Sequence, residues 1–70
     1  MSNFEQATRD FGVVIEKRSM DGKDGTVFFA SVNRWTAEML EKELPYPAIY
    51  SNIPVNHREF GIGYPVFVPN

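Results

Sequence analysis

The sequence predicts an α+β fold: a single domain, residues 1–70, with a small antiparallel sheet of three to four strands in the order β-β-α-β-β and one helix packed on one face. Three observations carry this. Two apolar runs, Val13-Val14-Ile15 and Val27-Phe28-Phe29-Ala30, flank a stretch of turn chemistry, Ser19-Met20-Asp21-Gly22-Lys23-Asp24-Gly25. A helix pattern with start and stop signals spans residues 36–44. All five prolines then fall within the last 26 residues, around two more β-like segments.

The N-terminal segment has two competing readings. Ser2-Asn3-Phe4-Glu5 has the form of a capping box, and Phe4, Ala7 and Phe11 make a short apolar stripe that Gly12 can close. Alternatively residues 1–8 fray and Phe11 already belongs to the first strand. β-Branched and aromatic residues in the next two runs suit a pleated surface, which makes them a hairpin. After Ile15 the chain turns polar at Glu16-Lys17-Arg18 and is expected to enter the loop. Asp21-Gly22 and Asp24-Gly25 both offer the positive φ that tight hairpin connections need. The same stretch invites a calcium-loop reading, but with Gly25 at the sixth loop position the first, third and twelfth positions are Met20, Gly22 and Ser31. Three ligand positions lack a carboxylate, and that reading fails.

In the helix, Thr36 is the N-cap, with Trp35 and Leu40 placed to form a hydrophobic staple; Asn33 is an alternative cap one turn earlier. Glu38 favours the first turn and pairs with Lys42 in the better orientation. Ala37, Leu40 and Leu44 share the buried face, and Pro45 stops the helix. The later strands are Ala48-Ile49-Tyr50 with Ile53, and Tyr64-Pro65-Val66-Phe67-Val68. Asn56-His57-Arg58-Glu59 and Gly61-Ile62-Gly63 read as their connection. Pro65 cannot donate to a ladder, which assigns it to an edge strand or a strand start.

Composition narrows the function classes. There is no cysteine, so neither disulfides nor thiolate-bound zinc support the core, and one histidine cannot build a multi-histidine metal site. Hydrophobic content of 43% against 23% charged places the chain among folded domains. The net charge of −2 offers no electrostatic footprint for a nucleic-acid backbone. No apolar run approaches the roughly 20 residues of a membrane helix. The N-terminus carries Glu5 and Asp10 rather than a signal-peptide core. A cytoplasmic location is the expectation, with no cofactor and no metal.

Enzyme motifs are scarce: no P-loop, nucleophile elbow, zinc-protease motif or dinucleotide fingerprint. Asn56-His57-Arg58-Glu59 could pair a base with an anion-binding arginine. A polar loop exposing its charges explains it more simply, and no catalytic residue is assigned. A base-stacking platform would draw on Phe28, Phe29, Tyr46, Tyr50, Tyr64 and Phe67, ringed by Lys17, Arg18, Lys23, Arg34 and Arg58. In a domain this small most aromatics are needed for the core instead.

The expectation is a protein-interaction module. The hairpin is apolar on both faces, and the proline-bounded C-terminal strand could leave a pairing edge open to another chain. The competing reading is a sealed monomer whose N-terminal segment and last strand cover the second face. Aromatics dominate interface hot spots, so the expected anchors are Phe28, Tyr50 and Phe67. The acidic helix edge with Glu38, Glu41 and Glu43, and the loop bearing Arg18 and Lys23, would form the rim. Small chains without catalytic motifs often belong to bacteria or their viruses and act by binding a host protein. An adaptor or inhibitor, or a homodimer associating through the sheet, fits this pattern; nucleic-acid binding is the runner-up.

Overall fold

A computed structural model describes residues 2–70. The elements run α1 (Asn3–Phe11), β1 (Val14–Met20), β2 (Lys23–Ser31), α2 (Ala37–Glu43), β3 (Ile49–Tyr50), β4 (Val55–His57) and β5 (Gly61–Pro69). The fold class is α+β as the sequence predicts, and the short N-terminal helix, one of the two readings of that segment, lies with α2 against the sheet; the correction is that the antiparallel sheet has five strands rather than three or four.

The N-terminal helix forms. The Ser2 hydroxyl accepts from the Glu5 amide at 3.2 Å, and Gly12 ends the helix in the left-handed region at φ 76°. Ala7 and Phe11 are buried, and the Phe11 ring lies 5.1 Å from Trp35 and 6.1 Å from Phe28. Thr36 caps α2 as expected, accepting from the Met39 amide at 3.1 Å, and Lys42 pairs with Glu38. That pair is exposed and contributes little.

The first hairpin is longer than the polar stretch suggests. Its turn is Asp21-Gly22 alone, at φ 51° and 77°, the two positive values of a type I′ connection. Glu16-Lys17-Arg18 therefore belong to β1, and Asp24-Gly25 lies inside β2. Charged residues are tolerated there because β1 is an edge strand. A bulge between Val14 and Glu16 switches faces: Val14 opposes Phe28, whereas Glu16 opposes Val27.

Pro65 corrects a second expectation. It sits in the middle of β5, which is flanked by β2 on one side and by β3 and β4 on the other. The Asn70 amide donates to Asp24 O and the Val32 amide to Ile62 O. Antiparallel alternation then turns the amides of even-numbered β5 residues toward β2 and those of odd ones away. A proline at 65 lacks only a donor on the far side, where β4 has paired through Gly63 and β3 begins pairing at Val66. The segment read as a connection also holds a strand: β4 takes Asn56 and His57, leaving residues 58–60 as the turn, while Ile53 stays outside the ladder.

Both helices cover the same face. Phe28, Ala30, Val66 and Val68 point up from β2 and β5, meeting Ala7 and Phe11 of α1, Leu40 of α2, and Tyr46. The Tyr46 hydroxyl donates to Asp10 Oδ2 at 2.7 Å, tying the segment after α2 to α1. Burial, then the hydrogen bond to Asp10 and its negative charge, raise the Tyr46 pKa well above the usual 10. A raised folded-state value means that the contribution is full below pH 10 and declines as pH climbs from there toward the folded value. Tyr46→Phe should lower stability by about 1 kcal/mol at neutral pH, and flatten its decline above pH 10. Urea titrations at neutral and alkaline pH would measure both effects.

Candidate functional site: the helix-free face of the sheet

Odd-numbered residues of β2 and β5 make the other face. Paired residues share a face, so Val27, Phe67 and Ile49 stand side by side, as do Phe29 and Pro65. No helix covers them, yet Val27, Phe29 and Phe67 are only 6%, 2% and 5% exposed. Glycines explain this. A Cβ placed on Gly63 would lie 2.6 Å from Phe29 Cε2 and Cζ, and one on Gly25 would lie 2.6 Å from Phe67 Cζ. Each ring lies across the glycine diagonally opposite on the neighbouring strand, Phe29 over Gly63 and Phe67 over Gly25. The two strands thus repeat one device in opposite directions, and the rings are pressed flat.

The β4–β5 turn seals the Phe29 end. The His57 and Phe60 rings stack at 4.6 Å, and both lie within 6 Å of Phe29, at 5.7 and 5.8 Å. His57 Nδ1 accepts from the Glu59 backbone amide at 3.1 Å. The histidine therefore packs and shapes a turn, with Nδ1 engaged by the backbone.

Around this flush floor the apolar side chains stand clear. Ile49 is 52% exposed, Val55 43%, Phe60 39%, and Ile53, in the β3–β4 connection, 70%. Ile53 is held by its own amide, which donates to Ser51 Oγ at 3.2 Å, and is followed by Pro54. From the opposite flank Arg18 and Met20 of β1 face Ile49, Tyr50 and Ser51 across a shallow depression of about 210 Å³, floored by Val27, Pro65 and Phe67. Arg18 is already paired with Glu16 at 2.8 Å.

The expected site residues do not form one surface. Arg18, Tyr50 and Phe67 meet at this depression, with Phe67 in its floor. Phe28 is fully buried beneath the helices, where it touches Phe4 and Phe11, and presents nothing to a partner. Tyr50 turns its hydroxyl to the helix side, donating to Ala37 O at 3.2 Å; burial and then the Glu41 charge raise its pKa. It shares a separate cleft of about 400 Å³ with Glu41, Ser51 and Asn52. Glu38 lies exposed on α2, and Lys23 at the far end of the hairpin. The aromatics considered for base stacking are divided likewise: Phe28 and Tyr46 are interior, Tyr50 and Tyr64 pack against the helix-side core, and the rings of Phe29 and Phe67 are too covered to receive a base.

Ile49, Ile53, Val55 and Phe60 were not among the residues singled out from sequence. A signal for them existed: apolar residues in strands cut short by Pro47 and Pro54 lie at a sheet edge, where little chain remains to cover them.

A larger cleft, about 490 Å³, lies elsewhere, between Phe4 of α1 and Lys17, Arg18, Asp24 and Thr26 of the hairpin. Five of its seven lining residues are polar, and Phe4 is the one exposed large apolar side chain in it. It lacks the apolar concentration of the sheet face. Charge is shared unevenly between strands and helices. The strands and their turns balance Glu16, Asp21, Asp24 and Glu59 with Lys17, Arg18, Lys23 and Arg58. The helices and adjoining segments set Glu5, Asp10, Glu38, Glu41 and Glu43 against Arg9, Arg34 and Lys42, and hold the whole net charge of −2.

Among the described residues no helix is long and apolar enough to cross a membrane, and no group of three or more His, Asp or Glu side chains is placed to hold a metal ion. No protein-family model, no curated protein and no solved structure matches the chain.

Proposed function

We propose that this chain is a non-catalytic protein-binding module, an adaptor or inhibitor, that works through the helix-free face of its sheet. The observation that carries the reading is the set of exposed apolar side chains, Ile49, Val55 and Phe60, along one flank of a face that no helix covers among the described residues, with exposed Ile53 in the connection between β3 and β4. Contiguous exposed apolar surface on a small domain marks an interaction site. The floor is rigid, because its phenylalanines are locked over glycines, so little order is lost when a partner settles on it.

Strand addition at the sheet edges is a poor alternative. β5 is internal, so the open C-terminal edge expected from sequence does not exist. β1 carries Lys17, Arg18 and a bulge, and the opposite edge consists of strands of two and three residues. These are the devices that discourage edge pairing. Binding is therefore face-on.

The test is site-specific photo-crosslinking in native lysate, with the reactive side chain at Ile49 in one preparation and at Glu41 on α2 in another. A discrete adduct from position 49 with none from 41 is the expected result. Equal labelling from both positions, or none from either, would count against the reading.

A further inference from the structure

We infer that the partner segment seated on this face is an amphipathic α-helix with acidic residues along one edge of its apolar stripe; the inference rests on the binding reading above and names the chemistry of its partner. Three features point to it. The first is the form of the depression. Its floor, Val27, Pro65 and Phe67, lies on β2 and β5, and it is walled on both sides, by Arg18 and Met20 of β1 and by Ile49, Tyr50 and Ser51 at β3. β1 and β3 stand three strand spacings apart, which is roughly 14 Å. One helix, about 10–12 Å across with its side chains, fits between such walls. Only β2 and β5 run to nine residues, so the surface suits a single segment better than a whole domain.

The second feature is what the floor offers a backbone. Val27, Pro65 and Phe67 present only carbon, and the amides and carbonyls of β2 and β5 are directed within the sheet toward neighbouring strands. An extended segment laid on this floor leaves the inward half of its own N–H and C=O groups without partners. A helix pairs its backbone internally and offers a continuous apolar stripe, so it can lie on a carbon floor without that cost.

The third is charge. Glu16, Arg18 and Lys23 pair with Val27, Gly25 and Met20, which puts them on this face, whereas Lys17 and Asp24 belong to the helix side. These three formally charged strand residues sum to +1 in a chain of −2, so all other residues together carry −3. Glu16 engages one guanidinium nitrogen of Arg18 at 2.8 Å. The other nitrogens and the Lys23 ammonium remain for carboxylates of a partner. The β3 wall carries no charge, and Val55 and Phe60 extend it as apolar surface. The complementary helix is therefore acidic along the edge that meets β1 and apolar beneath and toward β3.

Selection of a phage-displayed library of random peptides, roughly 16 residues or four helical turns long, against the intact chain tests this. Enriched peptides should repeat apolar residues at spacings of three and four, carry net negative charge, and gain helical signal in difference circular dichroism when bound as synthetic peptides. Ile49→Asp and Arg18→Glu alter half-exposed side chains, so circular dichroism of the chain alone should show both folded. Each should weaken binding of such a peptide by about tenfold, as loss of an interface anchor does, whereas Glu41→Lys should leave it unchanged. Enriched peptides that bind in extended form, or that are basic, overturn the inference; if they still depend on Ile49, the binding reading survives it. Acidic helical peptides that bind both folded variants as tightly as the native chain overturn the placement on this face. A selection that enriches nothing also overturns the inference, and the binding reading then stands or falls separately on the crosslink from Ile49.

Discussion

Phe28→Ala should destabilise the chain by about 4 kcal/mol, in the range for emptying a buried phenylalanine site. Phe28 is fully buried at the centre of the core, with Phe4 and Phe11 rings 5.7 and 6.1 Å away and α1 packed across it. At roughly 0.05–0.15 kcal/mol per residue a domain of this length has about 4–10 kcal/mol in total. One such cavity therefore removes from about two-fifths to all of the margin. Denaturant melts followed by circular dichroism would show it. The same reasoning disqualifies Phe28 substitutions as probes of binding, because lost binding would only report lost structure. A folded Phe28→Ala variant with near-native stability would mean that α1 is not docked as described.

Gly63→Ala should cost about 3 kcal/mol, at the upper end of typical overpacking penalties, although it adds a single methyl group. The new carbon would lie 2.6 Å from the Ala30 carbonyl oxygen as well as from the Phe29 ring. A ring can tilt away, but a backbone carbonyl inside the sheet cannot move without breaking the ladder. Gly25→Ala meets the Val68 carbonyl oxygen and the Phe67 ring in the same way. Gly22→Ala and Gly61→Ala provide the contrast. Neither site has an atom within 4 Å of the added carbon, so only the positive φ is strained, at about 1 kcal/mol. If all four substitutions cost the same in denaturant melts, the phenylalanine-on-glycine packing is not what holds the uncovered face together.

Local signals in the sequence read correctly wherever one or two residues decide the outcome. Ser2, Gly12 and Thr36 cap helices because their chemistry acts within a single turn; of the two dipeptides suited to the hairpin turn, Asp21-Gly22 makes it and Asp24-Gly25 lies inside β2. Misreadings arise where a distant strand decides. Pro65 looks like an edge residue until it is known that β3 and β4 share one side of β5 and leave a gap between them. Glu16, Lys17 and Arg18 look like loop until β1 is seen to lie at the sheet edge.

The proposed interaction surface was legible only in outline. Two apolar faces on the hairpin can be read from residues 27–30, but not which face the helices take. That choice depends on α1, whose Ala7 and Phe11 settle over Phe28 and leave Phe29 outside. Hence Phe28 reads as an anchor although it is core, Ile49 reads as an ordinary strand residue although it stands exposed, and the exposed Val55 falls in no predicted element. The diagonal pairing of Phe29 with Gly63 and Phe67 with Gly25 is invisible without the register of β2 against β5.

The central claim, that another protein covers the helix-free face, is tested most directly by carbene footprinting of this chain alone at high dilution and again in concentrated native lysate. Ile49, Ile53, Val55 and Phe60 should label strongly in the dilute sample and be protected in lysate, while Phe4, half-exposed on α1, labels equally in both. Protection of Phe4 with continued labelling of the four sheet-face residues would place the partner on the helical layer and contradict the account.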